Sequence, residues 1–477
     1  MSLFRLSLEP QAGCISVQAR RIFLKAATLG LGSLATLGAR NAKGGPSAVA
    51  ARRAETAGAK TSGAETACIV FFLDGGPSHH ETFDPKPEAP AEVRGEFDVI
   101  DSSVPGIQVS EHLPLLAGQA QHYALVRSLH HGNPSHAPAE HQMLTGWMGS
   151  RPGTARAVIE TPSFGSIVSC LRGPRREGLP AYVAVPWSFH HEYGGSPFGA
   201  ASHLGPRFEP FESGHLPKQA TAAYEVPELK LPAGMSAARL QNRRTLLGRL
   251  DRFVSDSGMA PEGLKRARAF TEEAMDMLVN SRVRDAFDFA REPVSLRERY
   301  GSHEWGQGAL LARRLVEAGV TFVMLQCGLR QDWDTHQQNF PTLKTKLLPP
   351  MDRAVSALFA DLAQRGLMEK TLVLVIGEFG RTPKIGEITS NNNTDASGRD
   401  HWANCFSGLI GGGGLKAAQV VGSSDNLGAY PHTRALHAQD LFATMYHTLG
   451  INPHTIFHNQ DRPVPILSHG TPIPELL

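Results

Sequence analysis

The sequence predicts an α/β protein built on a parallel, doubly wound sheet, and two observations predict it. Short continuous apolar runs recur along the chain, each ended by Gly, Pro or polar residues, as strands buried on both faces are. Between several of them lie segments in which apolar residues recur at three and four positions, the helix period.

The first run covers residues 67–73 and stops at Asp74-Gly75-Gly76-Pro77. Further strands are expected at residues 123–129, 181–186, 320–326, 371–376 and 406–410. Helices are expected at 307–318, 343–366 and 438–449. Residues 237–281 are charged, carry apolar residues three and four apart and show no strand signal, so they read as a helical excursion on the α/β core. Residues 187–230 hold Gly, Pro, His and aromatic residues without a period, the mark of a long surface loop. Domain organisation follows: a leader over 1–42, a disordered linker over 43–65, and one domain over 66–477 with a loop and helical insertion at 187–300.

The leader is read from Arg20-Arg21-Ile22-Phe23-Leu24-Lys25, a paired-arginine signal ahead of a short, uncharged, Gly- and Ala-rich run. That run is too short and too weakly apolar to span a bilayer well, so the mature protein is expected to be exported, periplasmic or extracellular, with no stable membrane span. The twin-arginine export machinery is the implied partner. With 47 Lys and Arg against 45 Asp and Glu, the charge balance gives no reason to expect nucleic acid. The five cysteines lie far apart without a CxxC, and Cys68 and Cys327 fall inside apolar runs, which argues against a thiolate metal site. The 21 histidines, in contrast, leave imidazole to spare for metal or proton chemistry.

In open parallel sheets ligands collect beyond the carboxyl ends of the strands, and four acidic or imidazole motifs stand where predicted strands stop. Asp74 ends the first run and enters a loop with Glu81 and Asp84 as further donors. Asp334 and His336 are two apart in Trp333-Asp334-Thr335-His336, so an extended segment lets both reach one cation. Glu378 follows the run 371–376, and Arg381 beyond it could hold a phosphate or sulfate oxygen or pair internally with Glu378. Asp400 and His401 are neighbours, so one is expected to bind metal, His401 for preference, while the other orients its surroundings. Asp74, Asp334, His336, Glu378 and His401 thus form a mixed oxygen and nitrogen set suited to one or two divalent ions, zinc, calcium, magnesium or manganese, that polarise an ester oxygen or activate water.

The motifs Gly75-Gly76-Pro77-Ser78-His79, Thr82-Phe83-Asp84-Pro85-Lys86, Leu144-Thr145-Gly146, Trp333-Asp334-Thr335-His336, Gly377-Glu378-Phe379-Gly380-Arg381-Thr382-Pro383 and Gly398-Arg399-Asp400-His401-Trp402 carry a resemblance over the whole mature chain. It is to the exported family called domain of unknown function 1501, related to alkaline phosphatases and sulfatases. The resemblance implies an alkaline-phosphatase-like fold, a mostly parallel central sheet sandwiched by helices, with a metal site at its carboxyl edge. It also implies a hydrolase of phosphate or sulfate esters, with a small anionic ester or a sulfated or phosphorylated glycan as substrate. One departure stands out. Where sulfatases carry Cys-x-Pro-Ser-Arg, this chain has Gly132-Asn133-Pro134-Ser135-His136, so no formylglycine can form there. Ser135 could then act as a substitute nucleophile activated by metal, and His136 or His141 as a ligand or general acid. The missing nucleophile keeps a second class of function open, a non-catalytic extracytoplasmic binding protein on the same fold.

Overall fold

A computed structural model describes residues 62–148, 161–188, 200–231, 234–256, 262–328, 331–390, 393–459 and 462–477. The expected leader and nearly all of the linker lie outside them; the linker's end, Ser62–Glu65, forms a 3₁₀ turn. Among the described residues no helix is long and apolar enough to cross a membrane.

The centre is a nine-stranded sheet. Its strands are β1 Ala67–Leu73, β2 Tyr123–His130, β3 Tyr182–Val185, β4 Phe211–Glu212, β5 Phe322–Cys327, β6 Thr371–Ile376, β7 Phe406–Gly412, β8 Gln419–Val421 and β9 Leu436–His437. They lie in the order β8-β2-β7-β6-β1-β5-β3-β4, with β9 also paired to β2. Every pairing is parallel except the two made by β7, which runs antiparallel to both β2 and β6. β4 falls inside the segment expected to be a loop. Its two residues are too few to show a strand pattern in the sequence, and pairing with β3 at Val183 and Ala184 makes the strand.

β1 explains why its sequence is apolar at every position: all seven residues are buried, but on two different faces. Ile69, Phe71 and Leu73 join one core cluster, Cys68, Val70 and Phe72 the other, as the two-residue period requires. The helices complete the layers: α1 His136–Thr145, α2 Phe164–Arg172, α3 Ala237–Asp256, α4 Glu262–Val279, α5 Glu304–Ala318, α6 Leu348–Gln364 and α7 Ala438–Thr448. α5 and α6 supply Leu311, Leu315, Val355 and Leu358 to the first cluster; α2 and α7 supply Ile167, Leu441 and Tyr446 to the second. The result is a sheet sandwiched between helical layers.

The helical excursion packs into the first cluster through Leu240, Met275, Leu278 and Phe287. Buried charge fixes it there: Arg313 on α5 is 2.7 Å from Glu292 and 2.9 Å from Asp361, and Tyr300 donates to Asp361 at 2.9 Å. The four cysteines among the described residues are free, and burial pushes the thiols of Cys68 and Cys327 up.

His303 caps α5, its Nδ1 accepting from Gly306 N–H at 3.0 Å, and burial lowers its pKa to about 4. An unfolded histidine titrates near 6.5, so between pH 6.5 and 4 the unfolded chain binds more protons and stability falls as pH falls. Asn at this position still caps but cannot titrate. His303→Asn is therefore expected to shrink the stability lost between pH 7 and pH 5 by about 2 kcal/mol, read from urea midpoints at the two pH values. An unchanged loss would show that His303 is not held neutral.

Candidate metal centre

All the carboxyl ends of β1, β5, β6 and β2 point to one edge, and the chain leaves each of them into a loop that carries the predicted residues. Asp74 directly follows β1, Glu378 follows β6, Asp334 and His336 follow β5, and Ser135 and His136 follow β2. His401 precedes its strand rather than following it. Because β7 is reversed, its first residue, Phe406, pairs with Leu129 at the end of β2, and the segment before β7 therefore reaches the same edge.

Three atoms that could ligate a metal converge there. Asp334 Oδ1 is 2.9 Å from His336 Nε2 and 3.1 Å from His401 Nε2, and the two imidazole nitrogens are 3.1 Å apart. His401 Nδ1 faces the Pro134 carbonyl at 2.6 Å, which can only accept, so the proton sits on Nδ1 and Nε2 presents a lone pair. Burial, ahead of the neighbouring carboxylate, lowers the pKa of His401 and keeps it neutral. A lone pair and a carboxylate oxygen at 3.1 Å repel unless a positive charge lies between them. For nitrogen and oxygen ligands about 2.0 Å from a tetrahedral ion, neighbouring ligand atoms are about 3.3 Å apart, close to what these three show.

The surroundings hold these side chains in place. Asp400 does not join them: its oxygens accept from Ser390 Oγ, Ser390 N–H, Thr389 N–H and His401 N–H at 2.7–2.9 Å, and it stands 3.5 Å behind His336 Nδ1. These donors keep its carboxyl below the usual range despite burial. Thr394 Oγ1 is 2.8 Å from the same Nδ1. A carboxylate behind a ligating imidazole fixes its tautomer and orientation. Gly398 lets the two loops meet; a Cβ there would lie 1.7 Å from the His336 carbonyl oxygen.

A second group adjoins the first. His136, in the first turn of α1, is 2.7 Å from Glu378 Oε1 and 3.2 Å from Asp334 Oδ2, so it bridges the two. Burial alone would lower its pKa, but these two carboxylates raise it to about 10. Glu140, one turn on, lies 3.9 Å from the same imidazole. Asp74 accepts from Gln326 and from Gln331 N–H at 3.2 Å through Oδ2, while its buried Oδ1 has no partner. Burial and then Glu378 push Asp74 well up, and burial, Glu378 and Asp74 do the same to Glu140. Glu378 itself accepts from Gly75 N–H at 3.0 and 3.2 Å. His136, Glu140 and Glu378 offer ligand atoms within 4.8 Å of one another, and a cation there would relieve the repulsion among the carboxyls.

The structure places the remaining candidates and corrects Arg381, Glu81 and Asp84. Arg381 is fully buried, and its guanidinium donates to the carbonyls of Gly75, Gly76 and Arg399 and to Asp334, so its internal partner is Asp334, not Glu378. Glu81 is a structural anion, held by Arg399 at 2.6 Å and by Asn339 at 3.2 Å. Asp84 is likewise held by Lys86 at 3.0 Å and by Ser424. Ser135 is the exposed N-cap of α1, in extended backbone, with no capping bond from its side chain. Glu140 went unread because α1 itself did: Pro138 and two histidines break its apolar period, although His136 and Glu140 at i and i+4 already place two donors on one helix face.

Comparison with known proteins adds a family. No curated protein matches the chain. Among solved structures, the alkaline phosphatase of the Antarctic bacterium TAB5 aligns at 14% identity and TM-score 0.33, covering 81% of this chain and 99% of its own. The phosphonate monoester hydrolase of Silicibacter pomeroyi aligns at 12% and 0.34, covering 81% and 73%. A Bacteroides thetaiotaomicron protein described with glycosaminoglycan metabolism aligns at 12% and 0.37, again covering 81% and 73%. The family model described as "Protein of unknown function (DUF1501)" matches residues 65–477, nearly all of the described chain, and the protein belongs to that family.

Proposed function

We propose that this protein is an exported, metal-dependent hydrolase of phosphate or sulfate esters, or of related anionic esters. The observation that carries the reading is the convergence of Asp334 Oδ1, His336 Nε2 and His401 Nε2 within 3.1 Å of one another at the carboxyl edge of the sheet. In this reading those three residues hold one divalent cation, and of the four candidate ions their imidazole-rich chemistry suits zinc. His136, Glu140 and Glu378 offer ligand atoms within 4.8 Å of one another, and this carboxylate-rich position beside Asp74 suits magnesium, manganese or calcium. A bound divalent ion supplies a Lewis acid for an ester oxygen and lowers the pKa of coordinated water.

The chain's own residues do the rest. Ser135 is exposed, follows the carbonyl that faces His401 and precedes His136, and in this reading its hydroxyl is the nucleophile. His136 carries a proton between Asp334 and Glu378 and is the group placed to give one to a leaving oxygen. Arg381 fixes Asp334 and the tip of β1, leaving anion binding to the cations. Export rests on Arg20-Arg21 and the short apolar run after them, with the twin-arginine machinery as partner.

The test is elemental analysis of the purified full chain, followed by a panel of phosphate and sulfate esters assayed with the metal found. One or two equivalents of a divalent metal and turnover of at least one ester are expected. A protein that takes up no metal after supplementation with all four ions would rule the reading out.

A further inference from the structure

We propose that His131 is a positioning residue of the centre: its ring sets where the loop from Gly132 to Ser135 stands beside Glu378 and His401. This deepens the hydrolase reading given above and rests on it, since that reading makes Ser135 the nucleophile. His131 directly follows β2 and is buried, whereas Gly132, Pro134 and Ser135 after it are exposed. Its backbone N–H donates to the carbonyl of Ala403, two residues past His401, at 2.9 Å. Its ring reaches two other segments. Nδ1 is 3.1 Å from the N–H of Asn133, which can only donate, so Nδ1 accepts and the proton sits on Nε2. Nε2 in turn donates to the Glu378 carbonyl at 2.5 Å. Both ring nitrogens are thereby used, as a neutral imidazole allows.

These bonds close a short circuit. From Asn133 the chain runs through Pro134, whose carbonyl faces His401 Nδ1 at 2.6 Å, and Ser135 to His136, which is 2.7 Å from the Glu378 side chain. The loop is thus fastened to Glu378 at both ends, by His131 to its carbonyl and by His136 to its carboxylate. The Asn133 side chain also donates to Gln142 at 2.6 Å. A Cβ built at Gly132 would meet nothing among the described residues within 4 Å, so this exposed stretch depends on hydrogen bonds rather than packing for its place. Phe406 lies edge-on to the His131 ring with centroids 5.3 Å apart. If the ring only filled space, an apolar ring would serve as well.

The test replaces His131 in the full chain with Phe, Asn and Gln. Phe keeps the bulk of the ring and neither bond. The Asn side-chain oxygen reaches the place of Nδ1 and keeps the bond from Asn133, whereas the Gln amide reaches the place of Nε2 and keeps only the bond to Glu378. Two readouts are taken. Without added metal, hydrogen exchange of the Asn133 N–H, followed on the peptide that contains it, is expected to quicken at least about tenfold in His131→Phe and His131→Gln and to stay near the parent in His131→Asn. With metal and an ester that the panel finds, His131→Phe is expected to lower kcat about 100-fold with KM within about threefold, the cost of displacing a reacting group by about 1 Å. His131→Asn is expected to recover at least about tenfold of that loss. Parent-like exchange and kcat in His131→Phe overturn the proposal. So does a His131→Asn no better than His131→Gln, a comparison that still decides if the Phe variant does not fold. If exchange follows the expected series but no ester is turned over, the fastening of the loop stands and the hydrolase reading fails. If all four proteins turn over an ester equally, the hydrolase stands and the role of His131 fails.

Discussion

Asp334→Asn is expected to lower metal affinity at least 100-fold and to remove ester turnover with it. Asn keeps the shape of the side chain but not the charge that faces His336, His401, His136 and Arg381 together. Burial works against ionising Asp334, yet Arg381 and then the three imidazoles hold its carboxyl far below the usual range, so it is an anion at every working pH. Loss of a supporting partner alone costs 10–100-fold in metal affinity, and losing a ligand costs more. The substitution also leaves Arg381 buried without its counter-ion, a penalty of about 3 kcal/mol. Thermal melts separate the two effects. Metal at 100 times its Kd stabilises the parent by about 2.7 kcal/mol and raises its Tm, whereas the variant starts lower and does not respond. A variant whose Tm still rises with metal would show that Asp334 is not a ligand.

Arg399→Met is expected to be among the most destabilising single changes in the chain, at about 3–5 kcal/mol. Arg399 is fully buried against Glu81 and also donates to the carbonyls of Val93, Thr382 and Pro383. Removing it leaves a carboxylate that is 1% exposed and three carbonyls without their donor. The double variant Glu81→Gln, Arg399→Met removes the stranded charge and is expected to recover about half of the loss. Urea unfolding of the two single variants and the double variant measures this directly. If the double variant is as unstable as the sum of the singles, the pair is not coupled. Because Arg399 immediately precedes Asp400 and His401, the single variant should also weaken metal binding.

The sequence made the edge of the sheet legible, and its interior less so. β1 and β6 are visible to the residue because strands buried on both faces need apolar residues throughout, a demand that leaves no ambiguity. Asp74, Asp334, His336 and Glu378 stand beyond the ends of such runs, whereas His401 stands ahead of the run 406–410. Strand direction is another matter. The reversal of β7 comes from pairing with β2 and β6, partners far away in the chain, and the apolar pattern of a strand is the same in either direction. Arg381 shows the same limit at the level of one side chain. Its motif is compatible with a substrate anion or an internal carboxylate, and only the folded positions of Gly75, Gly76 and Asp334 decide between them. Glu140 was hidden by a helix whose polar inner face lacks the apolar period that marks helices elsewhere.

β1 is the first strand of the sheet to be synthesised, and it lies between β5 and β6, which come near the end. The bond from Gly75 to Glu378 closes a loop of 303 residues. At about 5–20 residues per second, a ribosome needs roughly 15–60 s to make that stretch. Until β5 is made, Ala67–Leu73 is an apolar edge with neither neighbour, and until β6 follows it lacks one of them, the kind of segment that pairs with other chains. Assembly of the sheet, and with it the metal centre, is therefore a late and slow event of high contact order. The chains that complete the sheet are those whose first strand stays unpaired with other chains until β5 and β6 arrive.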